Sequence, residues 1–82
     1  MDVIVPKKIV KSIRRLPIPA QVRIWRSIDR LPAHWHEGKK LEGEFVDCRI
    51  IRVWPYRIIY EVHKQKLIIV TLRVADRKDA YK

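Results

Sequence analysis

The chain has 82 residues, enough for one small domain over 1–82 and too few for two cores that each offset their own ordering entropy. Hydrophobic residues at 48% and charged residues at 34%, with only two glycines, describe a folded protein rather than a disordered arm. Nineteen Lys and Arg against nine Asp and Glu leave a formal charge of +10, which points first to nucleic-acid phosphate. An acidic membrane surface is the rival reading, and it requires an amphipathic helix with a bulky apolar stripe left uncovered.

Cys48 is the one cysteine, so neither an internal disulfide nor a thiolate metal site can form, and the chain reads as cytoplasmic with a buried thiol. No stretch has the length of a membrane span. The start, Met1 to Pro6, has no basic region followed by a long apolar run, so no export is expected.

Val3, Ile4 and Val5 form a β-branched run stopped by Pro6, which predicts a short strand leading into a helix. From Lys7 to Leu16 the apolar residues Ile9, Val10, Ile13 and Leu16 recur at helical spacing, and Lys7, Lys8, Lys11, Arg14 and Arg15 fill the other face. Pro17 and Pro19 end it. A second helix is expected from about Pro19 to Leu31, with Val22, Trp25, Ile28 and Leu31 as its apolar stripe, Arg23, Arg26 and Arg30 off it, and Pro32 as its stop. The tight link makes the pair an antiparallel hairpin. Ala33 to Glu44, with His34, Trp35, His36, Gly38 and Gly43, shows no period and reads as a loop.

The C-terminal half turns to strand-like alternation, with strands expected at about Val46 to Val53, Tyr56 to His63 and Lys66 to Val74. In the second, Tyr56, Ile58, Tyr60 and Val62 are the core face, and Arg57, Ile59 and Glu61 the other. In the third, Ile68, Val70, Leu72 and Val74 are assigned to the helices, and Leu67, Ile69, Thr71 and Arg73 to the open face. The fold class is therefore α+β: a short N-terminal strand, an antiparallel helical hairpin, then a three-stranded antiparallel meander, in one sheet packed on the helices. The open face carries arginines, and function is expected there.

This order resembles the RelE/ParE toxin superfamily, and three segments carry the likeness. They are Lys40-Leu41-Glu42-Gly43, the run Arg52-Val53-Trp54-Pro55-Tyr56-Arg57-Ile58-Ile59-Tyr60-Glu61-Val62, and Arg77-Lys78-Asp79-Ala80-Tyr81. They match the family's K-L-x-G, R-V-x-x-Y-R-I-I-Y-x-V and R-K-x-x-Y elements. Members divide chiefly into endonucleases that cut mRNA in the ribosomal A site and inhibitors of DNA gyrase, and a shared fold does not choose between them.

Cutting RNA without a metal requires activating the ribose 2′-OH, stabilising charge on the phosphate, and protonating the leaving 5′ oxygen. Arginines on a rigid sheet suit the second task, because the planar fork aims two N–H groups at phosphate oxygens. The resemblance implies that Arg57 holds the scissile phosphate, that Arg52 serves the same site, that Arg77 is the C-terminal basic residue, and that Tyr81 orients or stacks on the substrate. Taken without the resemblance, Arg52 and Arg57 read as a solvated sheet face, and Tyr81 as an aromatic packing the chain end.

Many catalytic relatives carry a histidine before the C-terminal arginine, or two lysines on the first meander strand. This chain has Asp76 and the Ile50 to Arg52 stretch there. Proton transfer then falls to Asp76, Glu44, Tyr81 or a ribosomal group, with Asp76 the nearest candidate and a surface ion pair its plainer reading. His34 and His36 lack a zinc spacing, so no metal and no cofactor are expected, and the histidines read as surface or loop residues.

Lys7, Lys8, Lys11, Arg14, Arg15, Lys39, Lys40 and Arg73 are the expected RNA-binding cations. The implied partners are the ribosome with its mRNA and rRNA, and a cognate antitoxin whose acidic C-terminal segment blocks the site. No membrane and no small-molecule substrate are expected. The function implied is a type II toxin that cleaves mRNA on the ribosome. A gyrase-directed toxin without catalysis, or a decayed nucleic-acid-binding relative, stands as the alternative.

Overall fold

The structure, a computed structural model, describes residues 1–41 and 47–76. In chain order the elements are β1 (Asp2–Ile4), α1 (Lys7–Arg14), α2 (Ile18–His34), a single 3-10 turn (Trp35–Glu37), β2 (Lys39–Lys40), β3 (Asp47–Val53), β4 (Tyr56–His63) and β5 (Ile68–Asp76). The strands form one mixed sheet in the order β1-β5-β4-β3-β2, with β1 parallel to β5 and the other neighbours antiparallel. The expected α+β order holds. β2 is an addition, because Lys39 and Lys40, read as loop, pair with Ile50 and Arg49 at the β3 edge.

Pro6 leads into α1, and its carbonyl accepts from the amides of Ile9 and Val10. Ile9 and Ile13 bury one face of α1. The helix ends at Arg14, and the Gln21 side-chain amide donates to the carbonyls of Arg14 at 3.2 Å and Leu16 at 2.8 Å. The second helix thereby satisfies the last carbonyl of the first, which has no intrahelical donor, and one in the link that follows.

Two expectations for α2 are corrected. Its buried residues are Ala20, Ile24, Ile28 and Leu31, while Val22 of the expected stripe is 44% exposed and Trp25 is half-buried. Pro32 does not stop the helix, which runs on to His34. A proline lacks one N–H and crowds the preceding turn, and so near the C-terminus it forfeits only one ladder bond.

The core joins Ile9 and Ile13 of α1 and Ile24, Ile28 and Leu31 of α2 to Val53, Ile58, Tyr60, Val62 and Ile69 of the sheet. β4 has the expected bounds, and its expected core face is the one that meets the helices. β5 departs from simple alternation. Ile59 pairs with Arg73 and Tyr60 with Thr71, so Leu72 is an extra residue that shifts the register. Ile69 and Thr71 are therefore fully buried beside Val62 and Tyr60, whereas Leu72 is 40% exposed and Ile68 and Val70 alternate away from the core. Beyond the bulge the assignment is as expected, with Val74 packed on the core. The Thr71 hydroxyl is buried without a hydrogen-bond partner among the described residues.

The face turned from the helices carries Cys48, Ile50 and Arg52 on β3, Arg57, Ile59 and Glu61 on β4, and Arg73 and Ala75 on β5. Cys48 is buried there, as expected of a structural thiol.

Candidate functional site

Among the described residues β2 pairs with β3 at Arg49 and Ile50, and no other strand lies along that edge. A cavity of about 450 Å³ opens at this place, lined by Ser27, Arg30, Leu31 and His34 of α2, by Glu37 and Lys39, and by Ile50, Ile51, Arg52 and Arg57. The four α2 residues follow the i, i+3, i+4, i+7 spacing of one helical face, and the last is present only because the helix passes Pro32. Arg23 donates to the Trp54 carbonyl at 3.3 Å, fixing α2 against the turn of the hairpin that carries the two sheet arginines.

Arg52 and Arg57 are directly opposed across β3 and β4. Like charges so placed cost sheet stability, by about 0.2–1 kcal/mol, and such a juxtaposition is compensated when an anion binds between them. Arg30 and Lys39 add to the positive lining, and among the described residues Glu37 is the one acid there. Among the described residues neither Arg30 nor Arg52 makes an ion pair. The cavity therefore combines four cationic side chains with the apolar Leu31, Ile50 and Ile51, and its size lies within the roughly 300–1,000 Å³ of ligand sites.

The turn at Trp35–Glu37 is held from several directions. The Tyr60 hydroxyl, on a side chain with no exposed surface, donates to the Trp35 carbonyl at 2.6 Å. Arg49 donates to the carbonyls of His36 at 2.9 Å and Gly38 at 3.0 Å, and to Asp47 at 2.9 Å. The Arg49 guanidinium and the Lys64 ammonium each stand 5.2 Å from the Trp35 ring centre. Burial pushes the Tyr60 phenol up to about 12, so it remains a donor at any ordinary pH. Burial raises the Asp47 carboxyl, but the Arg49 hydrogen bond and charge, with Lys40 and Lys64, more than offset that and hold it below its ordinary value. Within the turn's reach, His34 Nδ1 lies 3.2 Å from Glu37 Oε1.

Of the residues singled out from sequence, Arg52, Arg57 and Lys39 come together at the cavity. Arg73 stands one row away on the same sheet face, opposite Ile59. Lys40 faces a different hollow, with Asp47, His63, Lys64 and Lys66. Lys7, Lys8, Lys11, Arg14 and Arg15 are all exposed on or just after α1, and none lines the cavity. Asp76 is opposite Tyr56, on the alternation that leads to the helices, and is not brought to the cavity. Glu44, Arg77 and Tyr81 lie outside the described residues.

Sequence reading missed His34 and Glu37 as site residues, and placed Arg30 only among the helix cations off the apolar stripe. For His34 the available signal was its helical spacing from Ser27, Arg30 and Leu31, hidden by reading Pro32 as a helix end.

The fold is shared with solved toxins. The toxin of the archaeal RelE–RelB complex from Pyrococcus horikoshii OT3 is 29% identical, with a TM-score of 0.79 over 96% of this chain and 97% of that one. The RelB–RelE antitoxin–toxin complex from Methanococcus jannaschii gives 27% identity and a TM-score of 0.75 over 96% of this chain and 95% of that one. The isolated E. coli RelE toxin, at 19% identity and a TM-score of 0.75 over 92% of this chain and 82% of that one, shares the fold. No curated protein sequence matches. The family model for the ParE toxin of type II toxin–antitoxin systems matches residues 7–81. The chain thus belongs to the ParE toxin family, within the RelE/ParE superfamily of type II toxins.

Proposed function

We propose that this toxin inhibits translation by cutting mRNA on the ribosome as a metal-independent endoribonuclease. The observation that carries the reading is the pairing of Arg52 with Arg57 at a cavity that Arg30 and Lys39 make more positive. Two guanidinium forks on a rigid hairpin can grip the non-bridging oxygens of one phosphate and meet the extra charge as the 2′ oxygen attacks phosphorus. Arg77 and Tyr81 are proposed to complete the site from the C-terminal end. Lys7, Lys8, Lys11, Arg14 and Arg15 would meet rRNA backbone away from the cavity. The two archaeal relatives were solved with RelB antitoxins, which supports a cognate antitoxin here as well. At a charge of +10 its blocking segment should be acidic.

The test is a translation reaction with mapping of mRNA ends. Wild-type protein yields discrete new ends, Arg57→Ala and Arg52→Ala lower the yield by about 10²-fold or more, as expected on losing a charge-stabilising donor, and uncut message beside active ribosomes overturns the reading. The match to the ParE family favours the gyrase-directed alternative, whose outcome in the same set is uncut message with blocked DNA supercoiling.

A further inference from the structure

We infer that His34 is the general base of this site, oriented by Glu37, an assignment that rests on the ribonuclease reading above. Cleavage through the 2′-OH needs a group that can take a proton near neutrality, and the arginines cannot serve because they stay charged. Of the three histidines, His34 alone lines the cavity that Arg52 and Arg57 line. His36 is exposed outside it, and His63 is paired with Glu61 at 2.9 Å near the far end of β4.

The Glu37 contact decides what His34 can do. With Nδ1 3.2 Å from a carboxylate oxygen, the favoured tautomer carries its proton on Nδ1 and donates it to Glu37. Nε2 then keeps its lone pair as an acceptor. A carboxylate in that place also stabilises the imidazolium formed when the base takes a proton. The Tyr60 and Arg49 hydrogen bonds hold the turn between His34 and Gly38, so the dyad stands on a braced backbone.

The step balances as a transesterification. Nε2 takes the 2′-OH proton, the 2′ oxygen bonds to phosphorus, and the bond from phosphorus to the 5′ oxygen breaks. The leaving 5′ oxygen takes a proton from water, and the imidazolium returns its own to the hydroxide formed. The ends produced are a 2′,3′-cyclic phosphate and a 5′-hydroxyl.

The experiment is quantitative end mapping with full-length toxin in a translation reaction, comparing wild type, His34→Gln, His34→Gly, Glu37→Gln and His36→Gln. His34→Gln should cut about 10²–10⁴-fold more slowly while sedimenting with ribosomes like the wild type. Glu37→Gln should lose less, and His36→Gln nothing. Free imidazole should restore cutting to His34→Gly, which a merely structural role would not allow. The substituted side chains are 42% and 58% exposed, so these variants are expected to fold, and matching thermal melts check it. Wild-type rates from His34→Gln, or a His34→Gly defect that imidazole leaves untouched, overturn the assignment alone. Uncut message with the wild-type toxin overturns the ribonuclease reading and this assignment together.

Discussion

Gly38 is where the packing leaves no room for a side chain, and Gly38→Ala tests how the turn beside the cavity is held. Its backbone is extended, at φ −67° and ψ 146°, so alanine meets no torsional objection there. The obstacle is steric. A Cβ would overlap the Tyr60 hydroxyl and come within 3.0 Å of both Tyr60 Cζ and Ile51 Cγ2. Overpacking of this kind costs about 1–3 kcal/mol, and driving the hydroxyl from the Trp35 carbonyl adds about 1 kcal/mol. At about 4–8 °C per kcal/mol for a domain of this size, Gly38→Ala should melt on the order of 10–20 °C lower. Tyr60→Phe removes the same hydrogen bond and leaves the Trp35 carbonyl without it, costing about 1–3 kcal/mol. In the double variant the worst overlap is gone and the bond is lost only once, so its cost should fall short of the sum of the two single costs by about 1 kcal/mol or more. Thermal or urea unfolding of the four proteins measures this cycle. Costs that simply add, or a Gly38→Ala protein that melts with the wild type, would refute the account of the turn.

Two further outcomes follow from polar groups in and near the core. Thr71→Val replaces a buried, unpartnered hydroxyl with a methyl group, and should raise stability by about 1 kcal/mol, read as a higher melting temperature. Asp47→Asn should lower stability at pH 7 by about 1–3 kcal/mol, since it removes a charge-assisted partner of Arg49. Because the folded Asp47 carboxyl lies below its ordinary value, its contribution is present above the unfolded value of about 3.9 and disappears as the pH falls through the folded one. Urea titrations should therefore show the gap between wild type and Asp47→Asn holding from pH 7 to about pH 5 and closing in stronger acid.

The parts legible in the sequence are those where one period rules a whole element. Tyr56 to His63 alternates without interruption, and its bounds and core face follow directly from that. β5 shows why the same reasoning fails nearby. Every residue from Leu67 to Leu72 except Thr71 is aliphatic, so hydrophobicity does not distinguish the faces, and the register is set by pairing with β4. The extra residue at Leu72 then reverses the faces between Thr71 and Val74, and no glycine or proline marks the place. Pairing across strands is a tertiary property, visible only once β4 is in position.

The site divides along the same line. Arg52 and Arg57 were legible because they flank a two-residue turn, Trp54-Pro55, which forces them to face one another once the hairpin forms. His34 and Glu37 were not, since their place depends on a helix that continues through a proline. Local propensity argues against that continuation by removing one N–H. The surroundings argue for it: Leu31 is buried, Trp35 is caught between Arg49 and Lys64, and the Trp35 carbonyl is bound by Tyr60. Those contacts lie some 14 to 29 residues away along the chain from Trp35, beyond any local pattern. The same long-range contacts that overrule the proline also place an imidazole and a carboxylate at the cavity that the arginine pair lines. A histidine that reads from sequence as a loop residue thus lines, beside its Glu37 partner, the cavity that carries Arg30, Lys39, Arg52 and Arg57.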